Sequence, residues 1–301
     1  MSVKQGQIEG IVMKAYSGFY YVLDEKQQLW ECSLRGKYRL KGQSFLPGDR
    51  VIGTVIDEVA RKAVIEEVLP RHTIIDRPLV ANVDQVIIVM ALANPEPDLH
   101  LLDRMIIMVQ SHKVSPALCF NKADLVEEQA ALSLQKCYAP TGFPFLITST
   151  VQGLGIARLK ELLKGKITVF AGPSGVGKSS LLNLLQEEQQ LQTGEVSVKL
   201  ARGRHTTRHA QLLANSEGGL LVDTPGFSRL NLPEELRREE VTNYYPDYGE
   251  YAPKCRFRSC LHRAEPDCAV QQAVEKGLLD KGRYQRYLDI LTEVMEAERR
   301  Y

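Results

Sequence analysis

The chain has 301 residues, more than one typical domain, so two or three modules are expected. Charged residues at 25% and hydrophobic residues at 44% match an ordinary soluble globular protein, and a net charge of +1 puts any basic surface in local clusters. No apolar run is long enough to span a bilayer, and Met1–Gln7 lacks the basic-then-apolar pattern of a secretory leader. Six cysteines without such a leader point to thiols or metal ligands in a reducing cytoplasm.

Residues 1–70 read as short β-type runs separated by turn residues: Ile8–Ala15, Gly18–Asp24, Gln28–Leu34 and Arg50–Asp57. A small all-β barrel or sandwich fits this pattern, and the oligonucleotide-binding (OB) barrel is one member of that class. Arg35, Lys37, Arg39 and Lys41 alternate, which in an extended segment places four charges on one side.

From 71 to 232 strands and helices alternate. Val83–Ala91 suits a buried strand, and Asp98–Lys113 carries Leu102, Met105, Ile106 and Val109 at helical spacing. Ser115–Phe120, a helix near 127–138, a strand near 143–148 and a helix near 156–164 follow. Ile167–Ala171, a helix from Lys178 and a strand at Gly218–Val222 complete the series. This is the signature of a parallel sheet with helices on both faces, an α/β fold. Residues 233–301 are polar, then cysteine-rich, then helical. Tyr284, Tyr287, Leu288, Leu291 and Met295 recur as a packing stripe.

Four segments carry chemistry. Gly172-Pro173-Ser174-Gly175-Val176-Gly177-Lys178-Ser179-Ser180 contains G-x-x-x-x-G-K-S between a strand and a helix. Its backbone N–H groups can surround phosphates, Lys178 can reach the β and γ phosphates, and the Ser179 hydroxyl can ligate Mg²⁺. Asp223-Thr-Pro-Gly226 follows another strand. Asp223 can hold the magnesium water shell, and Gly226 can offer its N–H to the γ phosphate. Asn121-Lys122-Ala123-Asp124 follows a third strand. Its Asp124 carboxylate can accept from N1–H and N2–H₂ of guanine, Asn121 can meet the purine edge, and the Lys122 stem can cover the ring. Thr148-Ser149-Thr150 can complete the base pocket through Ser149. Finally, Cys255-x₄-Cys260-x-His262-x₅-Cys268 offers three thiolates and an imidazole, a donor set for one closed, structural zinc site. Cys32, Cys119 and Cys137 are isolated and expected to be buried.

Lys199–His209, basic throughout, occupies the position of a first switch, with Thr206 or Thr207 as a further magnesium ligand. A solvated basic loop is the alternative. Many GTPases place a glutamine after Asp-x-x-Gly to orient water; Phe227 stands here and cannot do so. Weak intrinsic hydrolysis is therefore expected, with His205 the in-chain candidate for positioning water.

The guanine-type loop precedes the phosphate loop, the reverse of the usual order. A circular permutation preserves the pocket, because every loop leaves the same edge of one sheet. On these motifs and this order the sequence resembles the RsgA (YjeQ) family of circularly permuted GTPases dependent on the small ribosomal subunit. The resemblance covers nearly the whole chain. It implies an OB-like RNA-binding barrel at 1–70, a GTPase domain at 71–232 and a helical zinc module at 233–301, with Cys255, Cys260, His262 and Cys268 as ligands. It also implies GTP hydrolysis with Mg²⁺ and a cytoplasmic protein whose partner is the small (30S) subunit and its rRNA in late maturation. With that partner, Arg256, Arg258 and Arg263 become phosphate contacts. No heptad or large apolar stripe argues for assembly, so a monomer is expected, and no membrane. Two rivals remain: an RNA-binding scaffold that holds GTP without turnover, and a nucleotide kinase with a guanylate-kinase-like phosphate loop.

Overall fold

The computed structural model describes residues 6–16, 18–35, 45–193, 210–223 and 232–299, with the backbone alone over 187–193 and at 223. Strands are β1 (Gln7–Tyr16), β2 (Phe19–Asp24), β3 (Leu29–Leu34), β4 (Arg50–Asp57), β5 (Lys62–Val68), β6 (Ile74–Asp76), β7 (Leu79–Ala81), β8 (Gln85–Ala91), β9 (Ser115–Asn121), β10 (Phe145–Ile147), β11 (Ile167–Ala171), β12 (Gln211–Ala214) and β13 (Leu220–Asp223). Helices are α1 (Leu99–Ser111), α2 (Glu128–Tyr138), α3 (Ile156–Leu163), α4 (Lys178–Thr193), α5 (Ala269–Glu275) and α6 (Lys281–Glu298).

The first five strands close a barrel in the order β1-β2-β3-β5-β4. Alternation puts Ile8, Val12, Val22, Trp30, Cys32, Val51, Ala63 and Ile65 inside. Trp30 donates its indole N–H to Asp24 at 2.9 Å, and the same carboxylate caps the β2–β3 turn through the N–H groups of Lys26 and Gln28. Thus one acid satisfies a buried donor and fixes a hairpin. Beyond the barrel, buried Asp49 is gripped by the Arg71 guanidinium through two bonds of 2.6 and 2.8 Å. The strand β5, with Ala63 and Ile65 turned inward, closes the barrel through a parallel pairing with β3 and an antiparallel one with β4.

The second sheet has six strands in the order β10-β9-β8-β11-β13-β12. β9 pairs parallel with β10, and β11 with β13. One edge departs from the parallel pattern: β12 runs antiparallel to β13. Asn215 makes that possible. Its Oδ1 accepts from the N–H groups of Glu217 and Gly219, closing a tight turn where a helical crossover would otherwise be required. β8, β9 and β11 are buried along nearly their whole length, as strands covered on both faces must be.

The chain divides into two compact units, each drawn from three stretches: 1–86, 160–170 and 182–227 in one, 87–159, 171–181 and 228–301 in the other. In the first, barrel strand β1 packs against β12. In the second, helix α1 contributes Ile107 to a core with Val241, Tyr245, Tyr248, Tyr287, Ile290 and Leu291. Two of the stripe residues, Tyr287 and Leu291, are fully buried there, and the other three pack against it.

That core surrounds an ion network. Arg283, 1% exposed, grips Asp247 through Nε (3.0 Å) and a terminal nitrogen (3.3 Å), and also donates to Asp103 of α1. Arg286 donates to the second Asp103 oxygen at 2.6 Å, and Tyr138 adds its hydroxyl at 3.0 Å. The Arg283 guanidinium lies over the rings of Tyr138 and Tyr245 at 4.9 and 4.7 Å. Burial opposes the charge on Arg283, but the two carboxylates outweigh it and hold the guanidinium protonated. No helix among the described residues is long and apolar enough to cross a membrane.

Candidate functional site

Three loops leave the carboxyl ends of β9, β10 and β11. The phosphate-type loop starts at Gly172, whose φ of +141° and crowding both exclude a side chain: a Cβ there would lie 2.1 Å from the Val89 carbonyl oxygen. Gly177, at φ +93°, would place a Cβ 2.3 Å from the Asn121 side-chain nitrogen. The two glycines therefore let the loop pass close to β8 and to the loop after β9. Lys178, the first residue of α4, turns its ammonium back into the loop and donates to the carbonyls of Gly172 (2.8 Å) and Pro173 (2.5 Å). Burial lowers its pKa from the ordinary lysine value. Ser174, Ser179 and Ser180 are exposed, and Val176 is buried as the loop's apolar anchor.

Asn121 is 1% exposed, and its amide joins all three loops. It donates to the Val176 carbonyl at 3.0 Å and accepts the Thr148 hydroxyl at 3.1 Å. Thr148 in turn takes the Ala123 N–H on its own carbonyl at 3.0 Å. Besides the purine edge expected of it, Asn121 thus braces the loops around it, which residue type alone does not reveal. Lys122 adopts a left-handed conformation (φ +63°) and donates its ammonium to the Asn94 carbonyl, in the loop after β8. Ser149, fully buried, donates its hydroxyl to Asp124, fixing the orientation of that half-buried carboxylate. Residues 121–124, Ser149 and 172–180 thus converge on one edge of the sheet. Of Asp223 the backbone alone is described, at the end of β13. Lys199–His209 with His205, Thr206 and Thr207, together with Gly226 and Phe227, lie outside the described residues, as do Lys37, Arg39 and Lys41. Arg35 is ion-paired with Glu66.

The second candidate site is a metal centre. One donor atom from each of Cys255, Cys260, His262 and Cys268 lies within 4.8 Å of the others. Cys255 Sγ is 3.9 Å from Cys268 Sγ, and His262 Nδ1 is 3.5 and 3.4 Å from those two sulfurs. Tetrahedral zinc with bonds of about 2.3 Å to sulfur and about 2.05 Å to nitrogen requires edges of about 3.8 and 3.6 Å. The donor set therefore fits a metal ion at its centre. Burial, with the neighbouring thiols adding to it, pushes the Cys260 thiol up to about 12, and burial lowers His262; a central cation would reverse the thiol preference and hold thiolates.

The structure adds residues that sequence reasoning missed. Tyr284 and Tyr287 donate their hydroxyls to the carbonyls of His262 (2.7 Å) and Leu261 (2.8 Å). The helical stripe is therefore a brace for the metal loop as well as packing. Glu265 accepts from the N–H groups of Leu261, Arg263 and Ala264. Burial would raise its carboxyl, but these bonds outweigh burial and bring it below the ordinary range. Of the three isolated cysteines, Cys32 and Cys119 are buried as expected. Cys137 is a correction: it is half-buried, at the end of α2 beside Arg286, whose terminal nitrogen lies 3.9 Å from its sulfur.

Comparison with known proteins places these features in one setting. The RsgA GTPase family model matches residues 66–233, and the RsgA N-terminal domain model matches 9–61. A protein of Moorella thermoacetica called small ribosomal subunit biogenesis GTPase RsgA is 49% identical over 98% of this chain and all of its own. The protein of that name from Alkaliphilus metalliredigens is 44% identical over 97% of this chain and 99% of its own. Among solved structures, YjeQ from Thermotoga maritima is similar with a TM-score of 0.80 at 38% identity, over 96% of this chain and 99% of that one. YloQ, described as a circularly permuted GTPase, also has a TM-score of 0.80, at 35% identity, over 97% of this chain and 96% of its own.

Proposed function

Because the chain belongs to the RsgA GTPase family, we propose that it hydrolyses GTP to GDP and phosphate under stimulation by the small ribosomal subunit, and acts in the maturation of that particle through rRNA. The observation that carries this reading is the Asn121 amide, which ties the phosphate loop at Val176 to Thr148 and so to the base-side loops. In this reading residues 172–180 hold the phosphates, while Asn121–Asp124 and Ser149 hold guanine. Ser179, one of Thr206 or Thr207, and Asp223 through water hold Mg²⁺. Magnesium supplies charge neutralisation at the β and γ oxygens. Lys178 supplies a fixed charge to the same oxygens, Gly226 offers its N–H to the γ phosphate, and His205 positions water. The Cys–His cluster holds one zinc ion as a structural brace. The domains are then 1–70, 71–232 and 233–301, in a cytoplasmic monomer.

Phe227 in the glutamine position supports slow turnover in isolation. A partner that completes the site follows from it, and the relatives' names supply the particle. The family match leaves the kinase reading without support. Multiple-turnover hydrolysis of GTP with and without small ribosomal subunits tests the proposal. Stimulation of tenfold or more is expected, and equal rates would leave the scaffold reading in its place. Substituting His205→Ala should abolish most of that stimulation; unchanged stimulation would remove His205 from the mechanism.

A further inference from the structure

A cavity of about 540 Å³ opens beside the metal loop. One wall is formed by the 3-10 segment Arg238–Tyr244, which brings Glu239, Thr242 and Asn243 to the lining. The other wall is the loop between the first two metal ligands, with Phe257, Arg258 and Ser259. The metal ligands Cys255 and Cys260 pin both ends of that loop, and the Cys260 N–H closes it on the Phe257 carbonyl at 3.2 Å.

This wall joins an aromatic ring to cations. Phe257 is 43% exposed. Its ring lines the cavity and lies outside the hydrophobic core of this module. The Arg256 guanidinium lies over its ring at 5.5 Å and is tethered to Asp267 at 3.1 Å, so one side of the ring is already backed by a cation. Arg258 has no ion pair among the described residues. From Tyr251 to Ala264 the chain carries Lys254, Arg256, Arg258 and Arg263 and no acid at all. An aromatic face flanked by cations, opposite a wall of amide, hydroxyl and carboxylate groups, matches what an unpaired nucleotide requires. A base needs a π-face to stack on, hydrogen-bonding groups for its edge and a cation for its phosphate. The volume falls within the range of about 300–1,000 Å³ that small-molecule sites span.

We propose that this cavity receives one unpaired nucleotide of RNA. Its base stacks on Phe257, its edge faces Thr242, Asn243 and Glu239, and its phosphate meets Arg258. The Glu239 carboxylate and the Asn243 carbonyl accept hydrogen bonds, so a base with an exocyclic amine is favoured over uracil. The basic lip would attract an acidic peptide too, but a peptide would not draw on the exposed π-face and the Arg258 guanidinium together. The inference rests on the reading of rRNA as the partner and sharpens it to a single residue pocket.

The test uses the full-length protein with small ribosomal subunits and a non-hydrolysable GTP analogue. Subunit affinity is measured for wild type, Phe257→Trp and Phe257→Leu, with metal stoichiometry as the check on folding. Zero-length ultraviolet cross-linking followed by mass spectrometry then locates peptide–nucleotide adducts. Tryptophan, which keeps the stacking face, should bind within about twofold of wild type, whereas leucine, equally apolar but without a ring system, should lose about tenfold. A single-nucleotide adduct is expected on the peptide containing Phe257 and should vanish in the leucine variant. Wild-type affinity in Phe257→Leu, or an adduct at this loop to a ribosomal protein instead of RNA, would overturn the inference while leaving the rRNA reading intact. Failure of wild type to bind subunits would overturn both.

Discussion

The loops at the sheet edge and the C-terminal module are built on opposite plans. At the sheet edge, short contiguous motifs act through backbone geometry: two glycines, one lysine and an asparagine amide place three loops together. In the C-terminal module, partners far apart in sequence act through side chains. Asp103 and Arg283 are 180 residues apart, and Tyr284 braces His262 across 22. The difference separates chemistry from stability. Damage to the first region should abolish activity in a folded protein. Damage to the second should unfold a region whose chemistry is elsewhere.

The largest effect expected from breaking that contrast is Lys178→Ala. Removing the only loop cation should lower GTP turnover by about a thousandfold or more, with the melting temperature close to wild type. Next comes Arg283→Met, which leaves Asp103 and Asp247 buried with reduced compensation. Unfolding in urea should show a loss of about 3 kcal/mol, with GDP affinity of the folded protein near that of wild type. A smaller effect belongs to Thr148→Val, which removes the hydroxyl that Asn121 accepts. An orphaned buried carbonyl costs about 1–3 kcal/mol of stability, and loosening the Asn121 brace should also lower GDP affinity, by about tenfold in a titration. Equal losses of stability and function in Lys178→Ala or Arg283→Met would dissolve the separation.

Thiol labelling sharpens the same contrast at the smallest scale. Burial pushes Cys32 up to about 12, Cys119 to about 11 and Cys137 to about 12. At pH 8 only about one Cys32 in ten thousand is the reactive thiolate. With metal bound, none of the six thiols should react quickly with iodoacetamide. Chelation should expose three, at Cys255, Cys260 and Cys268, and leave the other three protected. It should also weaken subunit stimulation of turnover while sparing nucleotide binding. Labelling of all six would mean that the metal supports the whole chain.

How much was legible in the sequence follows the same division. The phosphate loop, the guanine-type loop and the Cys–His spacing were readable because each function is packed into a run of neighbouring residues whose types are constrained by geometry. The barrel and the α/β sheet were readable from periodicity. The antiparallel β12 was not, because a four-residue edge strand next to a basic run carries too little pattern. The Asp103–Arg283–Asp247 network was invisible: each member sits in ordinary charged surroundings, and only the fold brings them together. The stripe Tyr284–Met295 was read correctly as packing, but the hydroxyl of a tyrosine says nothing about which carbonyl it will meet. Likewise, the residue type of Asn121 says nothing of its bond to the Val176 carbonyl, which emerges only in the fold.

That Asp124 reads guanine for a subunit-stimulated GTPase is tested by the turnover of GTP and XTP by Asp124→Asn with small ribosomal subunits. Xanthine carries an oxygen where guanine carries its amino group, so an amide can donate to it where a carboxylate cannot. GTP turnover should fall by about a hundredfold or more, and XTP turnover should appear, stimulated by subunits. Undiminished GTP turnover in this variant would contradict it.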